Sequence, residues 1–430
     1  MPPKPSSRVA LLLCLGTLLL GGLEISQPAG ASDLQVEGYL AARGQQLDSP
    51  PSWLQRGFGR LGPEADGPGE DASSAGGQGH LVLNWRPGQV LGAHVHLLGR
   101  LEPSAVAEGQ SAGVFEAYLR GSFTVGQGDR LRFRLGHFLL PTSKENVELA
   151  WSSPYTLTLS AINSWIADEV RLTGLLSEYQ FAIGPVHKLV LGATVFGGND
   201  TAGALLAWRG WSLGERLTTF GEVLPLPALH SLEDDGAFGV QLDRGTQPFG
   251  SDLDSRPGWA AYLHFRLSGQ YSVQYSYYDN RGDRALHNGD EYAWNTGFHL
   301  LGGEYFAGPW SFAGEVLKGS TGMGLGGGPR VQADFESAYA LASVTPGPFR
   351  LTLRYDTFEV EEGDFTRAED NTDDGEAWTF AVFWEPRDDF RLGLEWVDVE
   401  GVHPAAADSG FDAVTDGQSL VLEVRYYFGL

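Results

Sequence analysis

From residue 33 onward the chain changes character at almost every step, apolar then polar, and this period of two is what a strand with two unlike faces requires. In 113–123, Phe115, Ala117, Leu119 and Phe123 share one face, while Glu116, Tyr118, Arg120 and Ser122 share the other. In 130–138, Leu131, Phe133 and Leu135 oppose Arg130, Arg132 and Arg134. The pattern returns in 259–267, where Trp259, Ala261, Leu263 and Phe265 oppose Tyr262, His264 and Arg266. It returns again in 349–356, where Phe349, Leu351, Leu353 and Tyr355 oppose Arg350, Thr352, Arg354 and Asp356.

Soluble sandwiches alternate as well, so length and punctuation decide between the two. Many of these segments approach the roughly 9 to 11 residues with which a tilted strand crosses a bilayer, against about 5 or 6 in soluble sheets. Tight turns, such as Arg86-Pro87-Gly88-Gln89, Gly126-Gln127-Gly128-Asp129, Gly184-Pro185-Val186, Ser268-Gly269, Gly308-Pro309, Pro346-Gly347-Pro348 and Pro386-Arg387-Asp388, mark one end of the hairpins. Long polar stretches mark the other: 44–79, 101–112, 139–168, 223–257, 280–291, 319–334, 360–375 and 400–417. Short turns at one end and long loops at the other are the habit of outer-membrane barrels. The fold class expected is therefore all-β, a transmembrane antiparallel β-barrel with short periplasmic turns and long extracellular loops. Counting hairpins gives 18 strands, or 16 if the poorly bounded stretches near 176–190 and 203–222 are drawn differently. Trp85, Trp259, Tyr271, Trp310, Trp378, Trp384, Trp396, Tyr426 and Phe428 sit near strand ends, where barrels carry interfacial aromatics.

The ends fit the same destination. Lys4 and Arg8, the apolar run Val9 to Leu23, and Ala29-Gly30-Ala31 read as a signal peptide, residues 1–31, cleaved before Ser32. Cys14, the only cysteine, would leave with it; Leu13 stands where a lipoprotein signal carries a small residue. Residues 32–430 are then expected to form one barrel domain in the cell outer membrane. No run after the signal approaches the roughly 18 apolar residues of a spanning helix. Loss of a segment carrying net +1 takes the formal charge from -25 to -26, which argues against a nucleic-acid partner. With 59 glycines, 12% aromatic and 42% hydrophobic residues, the composition is too apolar for disorder, although 59–79 reads as a mobile loop.

The final segment, Ser419 to Leu430, sets Leu420, Leu422, Val424, Tyr426 and Phe428 against Glu423, Arg425 and Tyr427. It is similar to the closing strand of outer-membrane proteins, which ends in an aromatic residue; here Gly429-Leu430 follow Phe428. The stretch Gly136-His-Phe-Leu-Leu-Pro-Thr-Ser-Lys-Glu-Asn146 resembles the phosphate-selective porin O and P family, in which a G-Q-F-x-x-P strand leads into the constriction loop. His137 stands where that family has Gln. A looser likeness runs through Gly302-Gly303-Glu304-Tyr305 and Gly308-Pro309-Trp310, and about a fifth of the chain is covered. The resemblance implies a porin, a homotrimer, and passive diffusion of small hydrophilic solutes or ions.

Selectivity in a wide barrel comes from charges at its narrowest place. The stretch 139–168 is the candidate constriction loop, with Lys144, Glu145 and Glu148 expected to face Arg120, Arg132, Arg134 and Arg171 across an eyelet. The plainer alternative is that these charges pair with one another. Four lysines in all, and the acidic run of Glu359, Glu361, Glu362, Asp364, Glu369, Asp370, Asp373 and Asp374, favour general diffusion or mild cation preference over phosphate selection. Expected partners are outer-membrane lipid and lipopolysaccharide; the acidic loops read first as solvated loops, with divalent ions bridging them to lipopolysaccharide as the alternative. No cofactor is expected. His94 and His96 share a face, but one His-x-His without a third ligand reads as ordinary lumenal histidine rather than a metal site. Two other classes stay open: an outer-membrane hydrolase, for which no motif brings Ser and His together, and a plugged structural or adhesin barrel presenting 360–375.

Overall fold

The computed structural model describes residues 33–62, 71–101, 111–126, 128–239, 241–287, 291–324, 330–364 and 369–429. The expected signal peptide lies outside them. Sixteen strands form one closed antiparallel barrel. They are β1 Asp33–Asp48, β2 Asp71–Arg86, β3 Leu91–Leu101, β4 Ala112–Val125, β5 Asp129–Phe138, β6 Leu172–Ile183, β7 His187–Gly197 and β8 Gly258–Leu267. The second half comprises β9 Tyr271–Asp279, β10 Asn295–Ala307, β11 Trp310–Met323, β12 Val331–Val344, β13 Phe349–Glu362, β14 Asp373–Arg387, β15 Phe390–Val402 and β16 Gly417–Phe428. Every strand pairs with its neighbours in sequence, and β1 closes on β16 from Gly38↔Phe428 to Asp48↔Gln418. Closure leaves no free edge. Each tight turn named above joins two strands, and the long connections all lie at the opposite end.

The count of 16 follows from residues 203–222, which are not a hairpin. Ala204–Arg209 is a helix, and Leu205, Leu206, Trp208, Trp211, Leu213 and Leu217 are buried. Their apolarity serves the inside of the barrel rather than lipid. The expected loop at 59–79 is also shorter, because 71–79 pairs with 40–48 as the start of β2.

Outside the barrel the alternation works as the sequence implies. Leu119, Leu135 and Val195 are 59%, 55% and 60% exposed, alongside Trp85, Trp259, Tyr271, Trp310, Trp378, Trp384 and Trp396. Soluble monomers rarely expose contiguous apolar patches larger than a few hundred Å². No helix among the described residues is long and apolar enough to cross a membrane.

One face assignment fails. Phe115 does not join Ala117 and Leu119 but is fully buried, because β3 and β4 shift register between His96↔Glu116 and Leu97↔Val114. The extra residue in this β-bulge reverses the phase on its loop side, turning Phe115 inward. There it meets His96, Trp151 and the guanidinium of Arg171.

Candidate functional site

The lumen is divided by what folds into it. Helix α1 (Ala161–Glu169), in the β5–β6 connection, and helix α2 (Ala204–Arg209), in the β7–β8 connection, pack on the inner faces of β11, β12 and β13. Trp165 lies against Trp211, Phe298 and Phe335, and Trp208 meets Trp294 edge to face. Ser160 caps α1 by accepting from the Asn163 amide at 3.3 Å. Glu169 accepts from Trp165 Nε1 at 2.7 Å and from the Leu205 amide at 3.0 Å, linking the two helices. Burial pushes its carboxyl up to about 7, against the pull of the Leu205 amide and Arg209.

The plug is held to the β13–β16 wall by ionic contacts. Arg354 pairs with Glu145 and with Asp356 at 2.7 Å, and donates to the Thr158 carbonyl at 2.7 Å. Glu395 accepts from the Thr158 amide at 2.8 Å, and Arg391 reaches Glu148 at 3.0 Å. Arg60 holds Asp373 at 2.6 Å, and Arg43 and Arg425 converge on Glu423. At another anchor Arg100 and Arg216 both pair with Glu222. Burial raises that carboxyl, but Arg216 and Arg100 outweigh it and hold the group at about 2.

The wall formed by β4 to β8, toward the short turns, is different. A cavity of about 700 Å³ is bounded there by Arg132, Arg134, Lys144, Lys188 and Arg266, with Glu116, Glu178 and Glu304. A second, of about 420 Å³, shares Arg132, Arg134 and Glu178 and adds Arg86, Arg120 and Arg130. Register sets like charges opposite each other: Arg120↔Arg134 between β4 and β5, and Lys188↔Arg266 between β7 and β8. Such pairs are unfavourable unless water or an anion lies between them. Apart from Lys144, none of these eight cations makes an ion pair within 4.0 Å among the described residues; Lys144 lies 3.6 Å from Glu304. Arg132 donates to Gln180 at 3.1 Å, Arg134 lies over the Tyr118 ring, and Nη2 of Arg120 is buried without a hydrogen-bond partner.

Two glycines make this arrangement possible. Gly136 adopts φ +141, and a Cβ there would stand 2.3 Å from the Ala117 carbonyl oxygen. Any side chain would force β4 and β5 apart at the point where the chain leaves for the lumen. A Cβ on Gly302 would stand 2.9 Å from Lys144 Cγ, so its absence leaves room for the lysine stem. The ammonium then lies 3.2 Å from Gln274 Oε1 and 3.4 Å from His264 Nε2. Burial lowers the Lys144 pKa, against the opposing effect of Glu304 and Glu315.

The structure thus brings together Lys144, Arg132 and Arg134 in one cavity and Arg120 in the adjoining one. It does not bring Glu145, Glu148 or Arg171 to them. The two acids turn to Arg354 and Arg391 on the far wall, and Glu145 also accepts from the Thr156 hydroxyl at 3.1 Å, the Ser160 amide at 2.9 Å and the Asn163 side-chain amide at 3.1 Å. Arg171 is enclosed, its guanidinium 3.8 Å from the Phe115 ring centroid and 4.5 Å from that of Phe249, and it donates to the Thr218 carbonyl. Burial brings its pKa down to about 9. Glu178, Lys188, Arg266 and Glu304 were not expected at the site from sequence, although the alternation in 259–267 already sets Arg266 with Tyr262 and His264. His94 and His96 go to Asn84 at 3.0 Å and to His80 at 2.9 Å.

No protein-family model matches the chain, and no curated protein matches it. Solved structures do. The outer membrane channel DcaP of Acinetobacter baumannii superposes with a TM-score of 0.57 at 13% identity, over 94% of this chain and 99% of that one. An anion-selective porin from Comamonas acidovorans gives 0.51 at 12%, over 93% and 100%. OmpF of Salmonella typhi, in a complex with daunomycin, gives 0.50 at 11%, over 92% and 98%. At such identities the likeness establishes the fold, that of outer-membrane porins.

Proposed function

We propose that this chain is a passive outer-membrane channel for small hydrophilic solutes, and that solutes pass along the Arg/Lys wall of β4 to β8 with anions favoured over cations. The observation that carries this reading is an asymmetry in charge pairing. Most arginines that anchor the plug have carboxylate partners, Arg171 and Arg350 being held instead by carbonyl, hydroxyl and ring contacts, whereas Arg86, Arg120, Arg130, Arg132, Arg134, Lys188 and Arg266 line open volume with no carboxylate within 4.0 Å among the described residues. Structural arginines in a barrel are paired because an unpaired charge near low dielectric is costly. A run of unpaired cations beside open volume is what a path for anions needs. The apolar, aromatic outer wall supports residence among outer-membrane lipid and lipopolysaccharide, and a homotrimer belongs to the same proposal. The likeness of Gly136–Asn146 to phosphate-selective porins fits an anionic solute, with Lys144 as its contribution to the wall.

A plugged structural barrel is the second reading, favoured by the Trp165/Trp208/Trp211 cluster that packs the lumen. A hydrolase has less support, since no serine hydroxyl is hydrogen-bonded to a histidine among the described residues. Planar-bilayer recording on purified, folded protein separates the first two: discrete ohmic steps in KCl are expected of a channel. Folded protein that never conducts would refute the proposal and leave the plugged barrel.

A further inference from the structure

The β7–β8 connection leaves the sheet at Gly198 and returns at Pro257, and its two ends meet at three carboxylates. Asp200 lies just after β7, and Asp252 and Asp254 just before β8. One oxygen from each falls within 4.8 Å of the others. Oxygens bound at 2.3 to 2.6 Å to one calcium ion can stand at most about 5 Å apart, so the spacing is that of a shared ion. Three acids at such distances repel unless a positive charge joins them, and none of the three forms an ion pair with Lys or Arg among the described residues. Arg256, the nearest cation in sequence, is committed to Asp283 at 2.6 Å.

Acids at a loop neck are common, and on their own they carry no site. A second observation separates these. Asp200 is 2% exposed; its Oδ2 accepts from the Leu253 amide at 2.5 Å, yet its Oδ1 is buried with no hydrogen-bond partner. A buried carboxylate oxygen left unsatisfied is costly in a folded protein, and a cation is the partner that this geometry admits. Asp252 and Asp254 are more open, and their oxygens also accept from nearby amides: Ser255 at 2.6 Å, and Arg256 and Asp283 at 2.7 and 2.6 Å. Carboxylates that accept from amides keep free lone pairs for a metal.

We infer that Asp200, Asp252 and Asp254 form a calcium site that ties together the two ends of the β7–β8 connection. Calcium fits better than magnesium because three irregularly spaced carboxylates leave the remaining ligands to water and carbonyls, which its flexible coordination tolerates and strict octahedral geometry does not. The ion would clasp the plug at its neck. Asp200 already ties the neck to the next connection, its carbonyl accepting from the Trp294 amide at 2.6 Å.

The test uses full-length protein refolded without lipopolysaccharide, stripped with EGTA and titrated with CaCl2 by calorimetry. One calcium per chain is expected, with a dissociation constant on the order of 10⁻⁴ M or tighter. Affinity should fall at least tenfold in Asp252→Asn/Asp254→Asn, whose amides keep the acceptor oxygens the loop uses. Heat-modifiability on gels gives a second readout that does not depend on the double variant folding. Calcium should raise the unfolding temperature of wild type and not of Asp200→Asn, and in EGTA Asp200→Asn should be the more stable of the two. No uptake at about 5 mM calcium, or the same calcium-induced rise in wild type and Asp200→Asn, would overturn the site. Magnesium binding as tight as calcium would overturn the assignment to calcium.

Discussion

Reversing one charge on the unpaired wall should shift ion preference by a predictable amount. Arg134 lies where the two cavities join and directly across from Arg120. For an ion passing roughly 6 Å away in water, a unit charge contributes about 0.7 kcal/mol, so Arg134→Glu changes its energy by about 1.4 kcal/mol. At 0.1 M salt the Debye length of about 10 Å cuts this roughly in half. Anions lose that amount and cations gain it, so the anion-to-cation permeability ratio should fall about tenfold. Reversal potentials in a KCl gradient read the ratio directly. Wild type is expected to reverse toward the chloride potential, and Arg134→Glu near zero or beyond. Lys318→Glu is the control: it makes the same charge change on an exposed side chain of β11 that faces away from the lumen, and it should leave the potential unmoved. Identical potentials in wild type and Arg134→Glu would refute the reasoning, as would an equal shift in Lys318→Glu.

Other consequences follow from the anchors of the plug. Arg354→Met leaves Glu145 and Asp356 buried without their cation and should cost about 3 to 5 kcal/mol, visible as a lower temperature of heat-modifiability. Trp208→Ala empties the space against Trp294 and Phe238 and should cost about 3 to 5 kcal/mol, with larger or noisier single-channel steps as the lumen loosens. Glu222 is held at about 2 in the folded chain, below its ordinary 4.5, so its contribution is complete above pH 4.5 and lost as pH falls toward 2. Its size is about 3 kcal/mol. Protease sensitivity of the plug should rise across that window in wild type, and Glu222→Gln should flatten the dependence.

Strands were legible because the signal for them is local. Parity along 130–135 and 349–356 survives into the structure, whereas His137 and Phe138 at the end of β5 are both buried, and the tight turns fall where Gly and Pro favour them. The bulge at Phe115 was not legible, since an extra residue becomes visible only against the partner strand. The 203–222 stretch misled for a related reason: Leu205, Leu206 and Trp208 meet the needs of a lipid-facing strand and of a packed helix equally, and only the occupancy of the lumen decides. Among site residues, Arg120, Arg132 and Arg134 were readable from parity. The destinations of Glu145 and Glu148 were not, because Arg354 and Arg391 lie more than 200 positions away. Arg266 had a legible face, but its convergence with Lys188 and Glu304 needs the barrel closed.

Net charge is the sequence property that the structure most changes in meaning. A chain at -25 suggests a mouth that repels anions. Yet Asp334, Glu336, Glu359, Glu361, Asp374, Glu376 and Glu400 are exposed toward the long-connection ends of β12 to β15, away from the β4 to β8 wall. Other acids are spent inside: Asp373 on Arg60, Glu145 and Asp356 on Arg354, and Glu222 on Arg100 and Arg216. Charges separated by more than a Debye length, about 8 Å at physiological salt, are largely screened from one another. A solute in the lumen therefore responds to the unpaired arginines beside it and hardly to the total. Raising salt to about 1 M shortens the Debye length to about 3 Å, so anion preference should fade toward none while conductance rises. A preference that persists undiminished at that salt would mean that the ions are selected by direct contact rather than by the field of the wall.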